Sequence, residues 1–251
     1  MHLSRARIVL LMFVATAAVA PAAHAVCNNV TLNGIYGVLA TGLNGSNQPI
    51  AAVNRVVFDG AGHLSGSSTK SQNGTLVTYN FTGTYQIAAN CTGTAVHNNQ
   101  DGNPIHENIY LDNGDKGAFL IQTDDQHVVT GVLVAQGAAT CTDLGVKRTY
   151  AAQFTGVVPS QGQVVAASGQ LKLNGTGSIT GTLTISVNGS IGLNLPVTGT
   201  YQINSDCTGT AQVTPHGLSP NNLALLTVNA GKEIMAIQTD ANTIIAGTLQ
   251  Q

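Results

Sequence analysis

Histidines and carboxylates are where chemistry would start in this chain, and its two halves hold them unequally. His63, His97, His106 and His127 fall in the first half of the region after residue 25, and His216 alone in the second. Imidazole ligates metals and moves protons near neutral pH, so His97, His106 and the adjoining Glu107 form the candidate metal-ligand set. The competing reading makes these histidines surface residues at hairpin ends. Asp59, Asp101, Asp112, Asp115, Asp124, Asp125, Asp143, Asp206 and Asp240 all sit in or beside segments of turn composition. There an aspartate bonds to nearby backbone N–H groups. Asp112-Asn113-Gly114-Asp115 has the outline of a calcium loop but lacks the further ligands and the terminal Glu. A glycosidase needs two opposed carboxylates, and the two glutamates, Glu107 and Glu233, do not fall at equivalent points of the chain's internal repeat. No Gly-x-Ser-x-Gly, His-Glu-x-x-His, P-loop or dinucleotide-binding pattern occurs. The expectation is a chain with no assigned catalytic residue, no cofactor and no enzymatic activity.

The elements that position these residues come in two copies. Thr82-Gly83-Thr84-Tyr85-Gln86-Ile87, three residues on, is followed by Cys91-Thr92-Gly93-Thr94-Ala95. The same run returns from Thr198 to Ala211, with 11 of 14 positions identical at an offset of 116. Phe58-Asp59-Gly60-Ala61-Gly62 corresponds to Leu173-Asn174-Gly175-Thr176-Gly177, and Ile121-Gln122-Thr123-Asp124 to Ile237-Gln238-Thr239-Asp240. A period this long means two copies of one domain. Ser178 stands in place of His63, and Val213 in place of His97.

Residues 1–25 read as a signal peptide. Arg5 and Arg7 precede the apolar run from Ile8 to Ala20, and Ala23-His24-Ala25 is a small-x-small cleavage site. The organisation expected is therefore signal peptide 1–25, repeat 1 over 26–138 and repeat 2 over 139–251. Gly137-Ala138-Ala139 reads as the linker. Beyond the leader, seven Lys and Arg stand against eleven Asp and Glu, a balance that disfavours nucleic acid and anionic membrane. The four cysteines, Cys27, Cys91, Cys141 and Cys207, are even in number, as in disulfide-bonded exported chains. Three pairings are open to them, and the repeat favours one bridge per copy, Cys27–Cys91 and Cys141–Cys207. The localisation expected is secreted, periplasmic or cell-surface, with no membrane span in the mature chain.

Strands alternate with Asn-Gly and Asp-Gly turns throughout, eight per repeat: near Gly34–Thr41, Ile50–Phe58, His63–Thr69, Thr75–Ile87, Thr92–His97, Ile105–Leu111, Gly117–Thr123 and Val128–Ala135, and in the same order in repeat 2. Gly83, Tyr85 and Ile87 share one face of their strand and Thr82, Thr84 and Gln86 the other, so one face is dry and one wet. Hairpin-joined short strands of this kind predict two tandem antiparallel up-and-down β-barrels, with an open sandwich as the alternative. An outer-membrane barrel also uses alternating strands, but the disulfides and the domain repeat count against it. Tyr85 and Tyr201, on the dry face, are candidates to line a ligand cavity. A small barrel is nearly full with its own side chains, so the expectation is that they fill it.

Gly34-Ile35-Tyr36-Gly37, Phe58-Asp59-Gly60-Ala61-Gly62, Thr82-Gly83-Thr84-Tyr85 and Gly131-Val132-Leu133 resemble a module of secreted bacterial proteins built on Gly-x-Tyr, Asp-Gly-x-Gly and Gly-Thr-Tyr. Repeat 2 keeps all but the first element, where Phe154-Thr155-Gly156 stands. More distantly the meander is similar to the calycin barrels, the lipocalins and avidins. The resemblance implies a fold and no activity. Avidin-type binding rests largely on Trp, which this chain lacks. The resulting expectation is a non-enzymatic binding or surface-interaction module for a small molecule or extracellular partner. A structural or adhesive component and a metal-dependent function of the repeat-1 histidines are the alternatives.

Overall fold

The computed structural model describes residues 26–112, 117–138 and 140–251. The expected signal peptide and residues 113–116 of the calcium-loop outline lie outside them. The chain forms two closed eight-stranded barrels in which every strand is antiparallel to both neighbours. The first contains β1 (Gly34–Leu43), β2 (Pro49–Phe58), β3 (His63–Gln72), β4 (Thr75–Ile87), β5 (Thr92–Asn98), β6 (Pro104–Leu111), β7 (Gly117–Gln122) and β8 (Val128–Ala135). The second contains β9 (Thr149–Val158), β10 (Gln163–Leu173), β11 (Ser178–Val187), β12 (Ser190–Ile203), β13 (Thr208–Pro215), β14 (Asn221–Val228), β15 (Glu233–Gln238) and β16 (Ile244–Gln250). Closure leaves no unpaired edge, which decides against the sandwich. The alternation read from β4 holds, with Phe81, Tyr85 and Ile87 buried and Thr82, Thr84 and Gln86 exposed. An outward face rich in Thr and Gln is not a lipid-facing one.

Glycines let the strands bend. A Cβ on Gly83 would lie 2.1 Å from the Val96 carbonyl oxygen, and one on Gly199 would lie 2.2 Å from that of Gln212. Each strand is thus pressed against its neighbour's backbone, as a tightly coiled barrel wall requires.

One end of each barrel is shut by a short 3-10 turn, Asn29–Leu32 in the first and Asp143–Val146 in the second. Leu32 and Val146 plug the floor, each 1% exposed. Cys27–Cys91 and Cys141–Cys207 are bridged, joining the segment beside each plug to the turn after β4 or β12. The plugs are latched alike. The Asn29 carboxamide oxygen accepts from Ile87 N at 2.7 Å, and the Asp143 carboxylate accepts from Ile203 N at 2.7 Å. Tyr85 Oη donates to Asn29 O and accepts from Gly60 N, both at 2.9 Å. Tyr201 Oη does the same with Asp143 O at 3.2 Å and Gly175 N at 2.8 Å.

The pairing registers correct one correspondence. Tyr36 faces Val56, two residues before Phe58, and Tyr150 faces Leu171, two residues before Leu173. Tyr150, not Phe154, is therefore the counterpart of Tyr36. Its offset is 114 rather than 116, because repeat 2 carries one extra residue in the β9–β10 hairpin and one in a bulge of β12.

The barrels also pack on each other. Ala51 and Val53 of β2 meet Leu226, Val228, Met235, Ile237, Ile244 and Ala246 of the second barrel, with Leu39, Val132 and Val134 around them. Polar bonds rim this seam: Ser71 Oγ to Thr243 O at 2.6 Å, Asn242 N to Gly74 O at 2.9 Å, Ala230 N to Gln136 O at 2.9 Å and Arg55 Nε to Asp206 O at 2.9 Å. β14 and β15 are consequently buried on both faces.

Candidate functional site

Inside each barrel the plugged end is packed solid and the opposite end is open. In the first barrel Tyr36, Phe58 and Tyr85 stack edge to face, with ring centroids 5.6 and 4.9 Å apart. Val38, Val56, Phe81, Ile109 and Leu120 lie above them. Higher still the lining turns polar and encloses a cavity of about 450 Å³, reached between the β1–β2, β3–β4, β5–β6 and β7–β8 turns. The second barrel has the same plan with a cavity of about 410 Å³. The expectation of filled interiors thus holds for one half of each barrel. Tyr85 and Tyr201 belong to that half, and neither lines the open cavity; Tyr85 borders a shallow groove on the outside.

The two cavities differ in chemistry at equivalent positions. Strand registers match Ser68 with Leu183, His97 with Val213, Glu107 with Leu223 and Gln122 with Gln238. Two residues further along β3 and β11, Lys70 matches Ile185. The second cavity is walled by Phe154, Val165, Ala167, Leu183, Ile185, Val213 and Leu223, with Gln163, Asn221 and Gln238 toward the mouth. The first is floored by Asn54, Ser68, His97 and Glu107, with Lys70 and Tyr79 above.

That floor carries unspent hydrogen-bonding capacity. His97 Nε2 stands 3.7 Å from Glu107 Oε2, and the imidazole lies against the Phe81 ring at 4.8 Å. His97 Nδ1 and Asn54 Oδ1 are buried with no hydrogen-bond partner among the described residues. Buried polar atoms ordinarily find partners, and both residues line the cavity. Lys70 Nζ lies 5.7 Å from the centre of the Tyr79 ring, within cation–π reach. Burial lowers the Lys70 pKa, partly offset by the Asp101 carboxylate. Burial likewise raises the Tyr79 phenol, with Ser68 pulling the other way.

The proposed ligand set is not assembled. His97 and Glu107 share the cavity floor, but His106 occupies the outer face of β6, because neighbouring residues in a strand point to opposite sides. Its Nδ1 is 2.7 Å from Asp124 Oδ1, and its backbone N–H donates to Asp124 Oδ2 at 3.1 Å. Burial raises Asp124, but bonds from His106 and Gln122 outweigh it and leave the pKa below the usual value. The second barrel repeats the latch with no histidine: Asn222 N and Nδ2 donate to Asp240 at 2.8 and 2.6 Å, and Gln238 Nε2 at 2.9 Å. His106 thus stands where the second barrel has Asn222, holding the Asp124 turn from the outer face of β6. No group of three or more His, Cys, Asp or Glu side chains among the described residues is placed to hold a metal.

Asn54, Ser68, Lys70 and Tyr79, and the apolar lining of the second cavity, do not emerge from motif reading. Their signal is the mismatch between repeats at inward positions, polar in one and aliphatic in the other. That signal needs the strand register to be recognised.

No protein-family model matches the chain, and no curated protein matches it in sequence. Among solved structures it is similar to kievitone hydratase from Nectria haematococca, at 8% identity over 90% of this chain and 93% of that one, with a TM-score of 0.31. It is also similar to the isotype 1 transferrin binding protein B of serogroup B Neisseria meningitidis, at 9% identity over 87% of this chain and 75% of that one, with a TM-score of 0.33. One of these is named as an enzyme and the other as a binding protein, and at such scores neither role transfers to this chain.

Proposed function

We propose that the protein is an exported, non-enzymatic binding protein whose second barrel takes an apolar small molecule. The observation that carries this reading is the open cavity of about 410 Å³ walled by Val165, Leu183, Ile185, Val213 and Leu223. That volume is in the range of small-molecule sites, which are mostly apolar with a few polar groups at one end. Here Gln163, Asn221 and Gln238 supply the polar end. Export is supported by the leader-like residues 1–25 and by two disulfides, which persist in oxidising compartments. No helix among the described residues is long and apolar enough to cross a membrane. The non-enzymatic reading draws support from how carboxylates are employed: Asp59, Asp124, Asp143, Asp206 and Asp240 all bond to turn or strand backbone.

The test is titration of the full chain with 8-anilinonaphthalene-1-sulfonate and with decanol, followed by fluorescence and thermal unfolding. Saturable binding of one molecule per chain is expected, with a gain of about 2.7 kcal/mol at a hundredfold excess over Kd. Ala167→Phe, which fills the cavity, should abolish it in a protein that still folds. Absence of binding, or binding indifferent to Ala167→Phe, would return the structural or adhesive reading to first place.

A further inference from the structure

The first barrel's cavity is a second site of opposite polarity, and we propose that it binds a neutral polyhydroxylated molecule of one or two sugar rings. This inference does not depend on the second barrel's ligand and stands or falls separately.

Four observations narrow the ligand. The cavity of about 450 Å³ exceeds a single sugar ring and excludes a long chain. Its floor holds Asn54 Oδ1 and His97 Nδ1 without a partner among the described residues, with Ser68 Oγ and the Glu107 carboxylate beside them. A carboxamide oxygen and a carboxylate accept, a hydroxyl both donates and accepts, and a neutral imidazole does one at each nitrogen. The complement of such a surface is a row of hydroxyl groups, each able to donate and accept. An apolar ligand would leave Asn54 Oδ1 and His97 Nδ1 buried and unpaired, a penalty that sites built for hydroxyls use to reject analogues lacking them.

Charge narrows it further. Glu107 lies at the floor and Asp101 and Asp124 stand at the mouth, against the single cation Lys70 in the lining. That balance repels anions. Lys70 lies over the Tyr79 ring and takes up that cation-attracting face, while the Asp124 carboxylate is already bonded by His106 and Gln122. A neutral ligand suits both facts. The mouth is also preformed. The Asn44 side chain accepts from Ser46 N and Gln48 N at 3.0 and 2.8 Å, and that of Asn99 from Asp101 N and Asn103 N at 2.8 and 2.9 Å. Two rim turns are thereby pinned before any ligand arrives, which reduces the ordering cost of binding.

The second barrel supplies the control. Its fold tolerates Leu, Val and Leu where the first has Ser68, His97 and Glu107, so the triple substitution S68L/H97V/E107L imports a lining that such a barrel accommodates. The experiment is calorimetric titration of the full chain with glucose, galactose, N-acetylglucosamine, maltose and cellobiose, up to about 10 mM, which captures dissociation constants near 1 mM. Glucuronate and glucosamine serve as charged controls. At least one neutral sugar should bind saturably, tenfold or more weaker to Glu107→Gln and undetectably to the triple variant. If the triple variant does not fold, Glu107→Gln decides. The proposal is overturned if no neutral sugar binds, if either charged sugar binds more tightly than its neutral parent, or if binding is unchanged in the folded variants. 8-Anilinonaphthalene-1-sulfonate binding, which reads the second barrel, should be unaltered by Glu107→Gln.

Discussion

Asp59 and Asn174 hold equivalent turns with and without charge. The Asp59 carboxylate accepts from Ala61, Gly62 and His63 backbone N–H groups at 2.7 to 2.9 Å, and Asn174 Oδ1 accepts from Thr176 N and Ser178 N. The bond from the His63 backbone N–H contributes most to holding Asp59 at a pKa of about 2, below the usual aspartate range. A carboxylate depressed on folding adds stability that is present above its unfolded pKa and lost as pH falls through the folded one. Asp59→Asn keeps an acceptor in the turn and removes the titration. Its unfolding midpoint in urea should lie below wild type near pH 7 and should converge on it between about pH 4 and 2, where only the wild type loses the carboxylate's contribution. A carboxyl NMR titration placing Asp59 at an ordinary aspartate value would contradict this account. The same pair shows why these two turns read correctly from sequence: their partners lie within four residues. Glu107 and His97 do not have that property, and their meeting across β5 and β6 depends on register.

At the scale of elements, each plug is a short segment whose place is secured from three sides: the disulfide, the side chain of Asn29 or Asp143, and the buried tyrosine. Double substitution of Cys27 and Cys91 by Ala frees a loop of 64 residues. It should destabilise the first barrel by about 2–5 kcal/mol. Calorimetry should then show the first barrel melting ahead of the second, and a single unshifted transition would mean the plug is held without the bridge. The cysteine pairing was legible because the two spacings, 64 and 66, agree within the repeat. The correspondence of Tyr150 with Tyr36 was not, since an extra residue in the β9–β10 hairpin and another in the β12 bulge shift the offset without altering the strand's place in the sheet. Neighbouring residues of a strand face opposite ways. Applied to β6, that rule alone separates His106 from Glu107, and the three-ligand set overlooked it.

The whole molecule is held by an apolar seam, and Gly37 lies where it leaves no room for a side chain. A Cβ there would lie 2.4 Å from Val228 Cγ1 and 2.9 Å from Leu226 Cδ2. Gly37→Val should therefore force the barrels apart and destabilise the full chain by about 1–3 kcal/mol, the usual range for overpacking. We propose that residues 26–138 and 139–251 are separable domains, each with its own strands, plug and bridge. On that proposal the fragment 26–138 unfolds cooperatively, and Gly37→Val leaves its midpoint nearly unchanged because the clashing partner is absent. Non-cooperative unfolding of the fragment would sink the proposal. Equal destabilisation of fragment and full chain would show that the glycine serves the barrel rather than the seam. Exposing Leu39, Ala51, Val53, Val132 and Val134, the fragment should also be less soluble than the pair.

The barrels, the turns, the cysteine pairing and the repeat were all determined by the sequence itself. Each rests on information that is local or periodic: alternation at every second residue, Asn-Gly and Asp-Gly at the breaks, glycines where strands press together, and a constant offset. The seam had a local trace too, in the apolar run Leu223–Leu226 where repeat 1 has Glu107-Asn108-Ile109-Tyr110. A strand buried on both faces reads that way, but the run does not say what covers it. The tertiary structure alone decided that the barrels are open at one end, that Asn54, Ser68, His97 and Glu107 converge on one floor, and that the matching positions of the second barrel make an apolar cup. Those facts depend on closure and register, which bring together side chains from four strands whose separation along the chain carries no trace of their contact.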